Sequence, residues 1–214
     1  MKKGLTEIVF ILDKSGSMSG LEEDTIGGFN SMLEKQKKVE GSALITTVLF
    51  NHTYEMIHHR KSLDQVSPIT EKEYQVGGST ALLDAIGISI LSTKKNYIDT
   101  LEEERPEKVL FVITTDGIEN ASKEFQYQEI KSMIEHQKQA FDWEFLFLGA
   151  NIDAESEARK FGINPDRVAN YNHDRRGTKA HYDSVSDAVS SLRSEGTISA
   201  KWMEKVDKDF KTRK

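Results

Sequence analysis

Apolar and polar positions alternate along the chain in blocks that predict strand and helix in turn. Thr6 to Leu12 (Thr-Glu-Ile-Val-Phe-Ile-Leu) is a nearly unbroken apolar run rich in β-branched and aromatic residues, the pattern of a strand buried in a parallel sheet. Ile26, Phe29 and Leu33 then recur at helical spacing, so a helix is expected from Leu21 to Glu40. Ala43 to Phe50 reads as a second strand. Asn51-His52 turns the chain into Thr53 to His58, an antiparallel edge strand. Gly77-Gly78-Ser79-Thr80 opens a helix carrying Leu83, Ile86, Ile90 and Leu91. The clearest strand is Lys108 to Thr115.

The second half continues the alternation. Phe125 to Gln139 is expected to be helical, with Ile130, Met133, Ile134 and Gln137 on one face. Trp143 to Leu148 is a strand closed by Gly149, Asp153 caps a short helix to Phe161, and Gly162 ends it. Arg167 to Tyr171 is a weak last strand, and Tyr182, Val185, Val189 and Leu192 mark one more amphipathic helix. Strand and helix in alternation predict an α/β, doubly wound, Rossmann-like sheet that is mainly parallel, with helices on both faces. Residues 1–195 form the domain. Ser194-Glu195-Gly196-Thr197 reads as a linker to a short basic helical tail around Trp202, over residues 196–214.

Composition narrows the class. A chain of 214 residues with no cysteine needs no disulfide framework and has no thiolate metal site, which fits a reducing, cytoplasmic setting. Met1-Lys2-Lys3 is basic, but Ile8 to Leu12 is too short for the apolar region of a signal peptide, and no stretch reaches membrane-spanning length. A formal charge of −6 argues against nucleic-acid binding.

Chemistry is concentrated at the predicted strand ends. Asp13-Lys14-Ser15-Gly16-Ser17 follows the first strand, placing a carboxylate and two hydroxyls where open α/β sheets put their ligands. Asp116, in Thr114-Thr115-Asp116-Gly117, has the same address after a later strand. Thr80 comes from the glycine turn at a helix start. Asp13, Ser15, Ser17, Thr80 and Asp116 thus offer five hard oxygen donors for Mg²⁺ or Mn²⁺, with part of the shell left for an oxygen from outside. Asp84 could support a metal ligand or simply serve its helix, and Glu119 and Asn120 read as loop or cap residues. His52, His58 and His59 lack a third ligand at zinc spacing and read as exposed histidines of the edge hairpin.

These three pieces resemble the metal-ion-dependent adhesion site of von Willebrand factor type A domains. Asp13, Ser15 and Ser17 match its first motif, Thr80 the second and Asp116 the third, with no departure among the five. The element order agrees over about residues 5 to 193, and the piece beyond Gly196 lies outside the resemblance. The resemblance, to the bacterial or phage-like cytoplasmic type, implies a strand order of 3-2-1-4-5-6 with strand 3 antiparallel. It also implies no catalysis. The metal would instead capture an exposed Asp or Glu of a partner protein, without nucleic acid or membrane. Relatives of this architecture work beside AAA-type ATPases or in stress-resistance systems. The competing class is a Mg²⁺-dependent phosphatase or phosphotransfer domain. Against it, haloacid dehalogenase-like enzymes carry Asp-x-Asp where this chain has Ser15. A serine nucleophile would also need a positioned base, and no histidine lies near either loop in sequence.

Overall fold

A computed structural model describes residues 1–213. Six strands form one sheet: β1 (Lys2–Asp13), β2 (Ser42–Phe50), β3 (Tyr54–Ser62), β4 (Pro106–Thr115), β5 (Glu144–Ala150) and β6 (Val168–Tyr171). Their spatial order is β3-β2-β1-β4-β5-β6, and only β3 runs antiparallel to its neighbour. The helices are α1 (Glu22–Gln36), α2 (Leu82–Asp99), α3 (Tyr127–Phe141), α4 (Ala154–Lys160), α5 (Arg175–Glu195) and α6 (Glu204–Thr212). Among the described residues no helix is long and apolar enough to cross a membrane.

Side-chain alternation along the strands divides the core in two. Ile8, Phe10 and Leu12 of β1 pack with Leu110 and Val112 of β4 against α1 and α5. Val9 and Ile11 pack with Val109, Phe111 and Ile113 against α2, α3 and α4. Trp143 stacks on Phe111 at the start of β5, with ring centroids 5.6 Å apart. Strand order reverses beside β1, from which the chain builds outward in both directions. The crevice at the carboxyl ends of β1 and β4 is therefore the switch point.

Several expected boundaries shift for local reasons. Helix α1 ends at Gln36 rather than Glu40, because Arg193 of α5 takes the carbonyls of Gln36, Val39 and Gly41 and turns the chain outward. Helix α2 begins at Leu82, two residues beyond the glycine turn, and Leu91 faces solvent instead of the core. Helix α3 starts at Tyr127 behind a capping box between Gln126 and Glu129. Strand β3 runs on to Ser62, past a register irregularity near Arg60 (φ +45°). Gly149 lies inside β5, and Asp153 caps α4 through the Ser156 N–H at 3.0 Å.

Ser194 and Glu195 belong to α5, which Gly196 terminates in the left-handed conformation. Trp202 precedes α6 rather than lying within it. It is buried, donates its indole N–H to the Asp166 carbonyl at 2.9 Å, and joins Ile198 and Val206 in the core on the α1/α5 side.

One buried carboxylate stands apart from all the loops. Glu7, in the middle of β1, is fully buried with the Arg60 guanidinium 3.1 Å away. Burial pushes its carboxyl up to about 6, against the pull of Arg60. A folded-state value above the unfolded 4.5 means that Glu7 contributes stability below pH 4.5 and loses it as pH rises through 6. The full swing is about 2 kcal/mol. Urea titrations of wild type and Glu7→Gln across pH 4.5 to 7.5 should therefore diverge in favour of the variant by up to that amount. A pH-independent difference would contradict it.

Candidate metal centre

The end of β1 is held open by its own backbone. Asp13 Oδ1 accepts the Ser15 N–H at 2.7 Å, and Oδ2 accepts the Thr115 hydroxyl at 2.6 Å. Its carbonyl takes the Tyr74 hydroxyl at 2.5 Å. The carboxylate is almost fully buried, and burial pushes it up to about 6 despite these donors, with Asp116 adding to the rise. The intervening Lys14 turns away to pair with Glu55 at 2.6 Å.

The glycine turn is sewn to this loop. Gly77 donates its N–H to Lys14 O, and Gly16 donates to Gly78 O, both at 2.9 Å. Asn51 Nδ2 reaches Gly77 O at 2.7 Å, and the Ala81 N–H returns to Asn51 O at 2.8 Å. Gly78 sits at φ +79° beneath the His52 ring, whose Nδ1 would be 2.1 Å from a Cβ there, so a side chain would be strained by the backbone and would have to displace that ring. Thr80 is then fixed to the third loop by two bonds to Asn120, from its N–H to Oδ1 (2.9 Å) and from its O to the Asn120 N–H (3.0 Å).

All five expected residues meet in this crevice. Ser15 Oγ lies 3.1 Å from Ser17 Oγ, which donates to Asp116 Oδ1 at 2.6 Å. A Cβ on Gly117 would stand 3.1 Å from Thr80 Oγ1 and 3.4 Å from Ser17 Oγ, which places both hydroxyls over that glycine. Asp13, Ser15, Thr80 and Asp116 are buried while Ser17 is exposed, so the cluster opens to solvent on one side. Burial also raises the Asp116 carboxyl, with Ser17 and His173 pulling the other way. Two desolvated carboxylates with three hydroxyls, none paired to a lysine or arginine among the described residues, form a donor set suited to a hard divalent cation. A groove of about 710 Å³ between α1 and α5, floored by Gly28 and Tyr182, is lined by none of the five.

His173 is the functional neighbour that the sequence did not reveal. It lies in the turn between β6 and α5, with Nε2 3.0 Å from Asp116 Oδ2. Only the fold brings it to Asp116, and no local pattern marks it. The other histidines behave differently from one another. His58 is buried against Thr47 Oγ1 at 3.0 Å, correcting its reading as exposed, whereas His52 and His59 are exposed.

Asp84 and Glu119 serve the backbone. The Asp84 carboxylate accepts the N–H groups of Lys123, Glu124 and Phe125 at 2.8 to 3.0 Å. Glu119 accepts from Leu83 N at the start of α2 and from Ala121 and Ser122. Both strap the loop after Asp116 onto α2.

No family model and no curated protein matches the sequence. Solved structures do match. Proximal thread matrix protein 1 from the mussel byssus superposes with a TM-score of 0.61 at 16% identity, over 87% of this chain and 46% of that one. A further structure of that protein has a zinc-occupied adhesion-site motif (TM-score 0.59, 15% identity, 86% and 46% covered). The manganese-loaded TRAP protein of Plasmodium vivax matches with a TM-score of 0.58 at 16% identity, over 81% of this chain and 70% of that one. A von Willebrand factor type A protein from Catenulispora acidiphila gives 0.57 at 14% identity, with 92% and 42% covered. This chain spans less than half the length of the mussel protein. At these identities the likeness is one of fold: the chain has the mainly parallel α/β fold of von Willebrand factor type A domains.

The strapping role of Asp84 has a direct consequence. Asp84→Ala should lower stability by about 1–3 kcal/mol in urea unfolding, because three N–H groups lose a charged acceptor. An unchanged midpoint, with metal binding abolished, would instead make Asp84 part of the ion's own shell.

Proposed function

We propose that this protein is a divalent-metal-dependent protein-binding module, acting in the cytoplasm and not as an enzyme. The carrying observation is the convergence of Asp13, Ser15, Ser17, Thr80 and Asp116 at the switch point, with their loops cross-tied by backbone bonds. Mg²⁺, or Mn²⁺ in its place, suits oxygen donors of this kind, and hydroxyl donors add no negative charge. When bound, the ion would supply an electrophilic position at the open side of the crevice.

The protein's own residues set what can reach that position. Asp13 and Asp116 bring at most two negative charges, so an exchangeable water on the ion can give way to an anionic oxygen. A carboxylate from an Asp or Glu of a partner protein fits, and a partner within an AAA-type ATPase or stress-resistance system is in keeping with the architecture. Metal-loaded forms among the fold's solved structures support the ion, though they identify no ligand for this chain. Ser15 and Ser17 bond to each other, and Ser17 to Asp116; with Asp116 engaged as a ligand of the ion, that carboxylate would not be free to act as a base for either serine.

Calorimetry with Mg²⁺ tests the centre. Wild type should bind one ion, while Asp13→Ala and Thr80→Ala should lose most of the affinity; equal affinity in Asp13→Ala would remove that residue from the site. The core is complete without the ion, so EDTA at 25 °C should leave the helical circular dichroism intact, and added metal should stabilise by about 2.7 kcal/mol at a hundredfold excess over Kd. A Glu-containing peptide should displace water from the Mn²⁺-loaded protein, as read by water-proton relaxation, and its Gln counterpart should not. Steady hydrolysis of p-nitrophenyl phosphate that is lost in Asp13→Asn would overturn the binding-module reading.

A further inference from the structure

His173 is held from both sides by the C-terminal helix. On one side, Asn172 Nδ2 reaches Asp209 Oδ2 at 3.1 Å and Asp209 O at 3.3 Å. On the other, Arg213 grips the Asp174 carboxylate at 2.6 and 3.1 Å and also reaches Asp209. Arg176, in the first turn of α5, closes on Asp209 Oδ1 at 2.6 Å. Asp209 itself is buried, so this knot is part of the molecule's interior.

The turn between these anchors is tight. Asp174 N–H binds Asn172 O at 2.8 Å, and Asp174 Oδ1 caps α5 through the Gly177 N–H at 2.8 Å. A Cβ at Gly177 would lie 1.9 Å from Asn172 O, so the backbone closes there only because the residue is glycine. From this fixed turn the imidazole reaches Asp116 Oδ2, 3.0 Å away. Both atoms are buried, and neither meets hydrogen-bond geometry with any group among the described residues, so this close approach leaves each of them otherwise unsatisfied.

We propose that His173 is a positioning residue of the metal centre: its ring nitrogen holds the far oxygen of Asp116, so that Oδ1 stays turned toward Ser17 and the ion. Asp209 of α6 and Arg213 just beyond it fix the turn that carries it, making the C-terminal segment part of the site's support. The inference rests on the metal-binding reading above. A carboxylate with one oxygen pinned loses less rotational freedom on binding an ion, and such outer partners typically contribute 10–100-fold in affinity.

Mn²⁺ affinity of the intact chain, read from the electron paramagnetic resonance signal of the free ion, tests this. His173→Ala should bind roughly 10–100-fold more weakly, with the metal-free melting midpoint at the wild-type value. His173→Gln, whose side-chain N–H can replace the ring donor, should recover most of the loss. Asn172→Ala, which leaves the histidine but frees its turn, should shift affinity in the same direction by less, and it decides the matter if His173→Ala does not fold. The exposed His59→Ala should bind as wild type does. Wild-type binding with unchanged affinity in His173→Ala overturns this inference alone. So does a loss that tracks a lowered metal-free midpoint and is not recovered by Gln. A wild-type chain that binds no Mn²⁺ overturns the metal reading, and this inference with it.

Discussion

Asp13 and Asp116 are both buried in one crevice, and among the described residues no lysine or arginine pairs with either of them. Their proximity follows from the sheet. Strands β1 and β4 are parallel neighbours with Leu12 opposite Thr114, so Asp13, the last residue of β1, and Asp116, just after β4, emerge at the same edge. Desolvating two carboxylates in one crevice is unfavourable, and the raised pKa of each, for which burial is the largest cause, expresses that cost. The donors around them, from Ser15, Thr115 and Ser17, fix where the oxygens point but leave the charge unneutralised. A divalent cation is the component that would neutralise it.

The rest of the molecule divides between supporting that crevice and supporting itself. Two apolar layers, one on each face of the sheet, carry the fold without reference to the site. The loops are tied instead by backbone bonds: Lys14 to Gly77, Gly16 to Gly78, and Thr80 to Asn120. Asp84 and Glu119 do the same for the segment after Asp116. Ligands held this way are in place before an ion arrives, so binding need not order the loops. Glycine at Gly78 relieves a left-handed backbone and leaves room for the His52 ring above it.

Much of this was legible in the sequence because it is local. Apolar runs such as Val109 to Ile113 announce buried strands, and motifs placed just after them inherit the strand-end address. What escaped depends on contacts between distant parts of the chain. The early end of α1 is decided by Arg193, and the burial of His58 by its pairing with Thr47 across β2 and β3. Asp84 and His173 illustrate the same limit at the site. A helix-start aspartate reads as a dipole partner until the fold lays Lys123 to Phe125 across it, and a histidine in a polar turn carries no signal until β6 brings it beside Asp116. The tail reads in sequence as a short basic helix behind a linker, and Ile198, Trp202 and Val206 anchor it in the core.

The central claim is that the two carboxylates and three hydroxyls form one cation site. Anomalous scattering from crystals grown with Mn²⁺, collected on both sides of the manganese absorption edge, tests it most directly. The account predicts a single strong manganese peak in the crevice between the Ser15–Ser17 loop, Thr80 and Asp116, absent from crystals of Asp13→Ala prepared in the same way. Full-occupancy manganese elsewhere with none in the crevice, or an unchanged peak in Asp13→Ala, would contradict it.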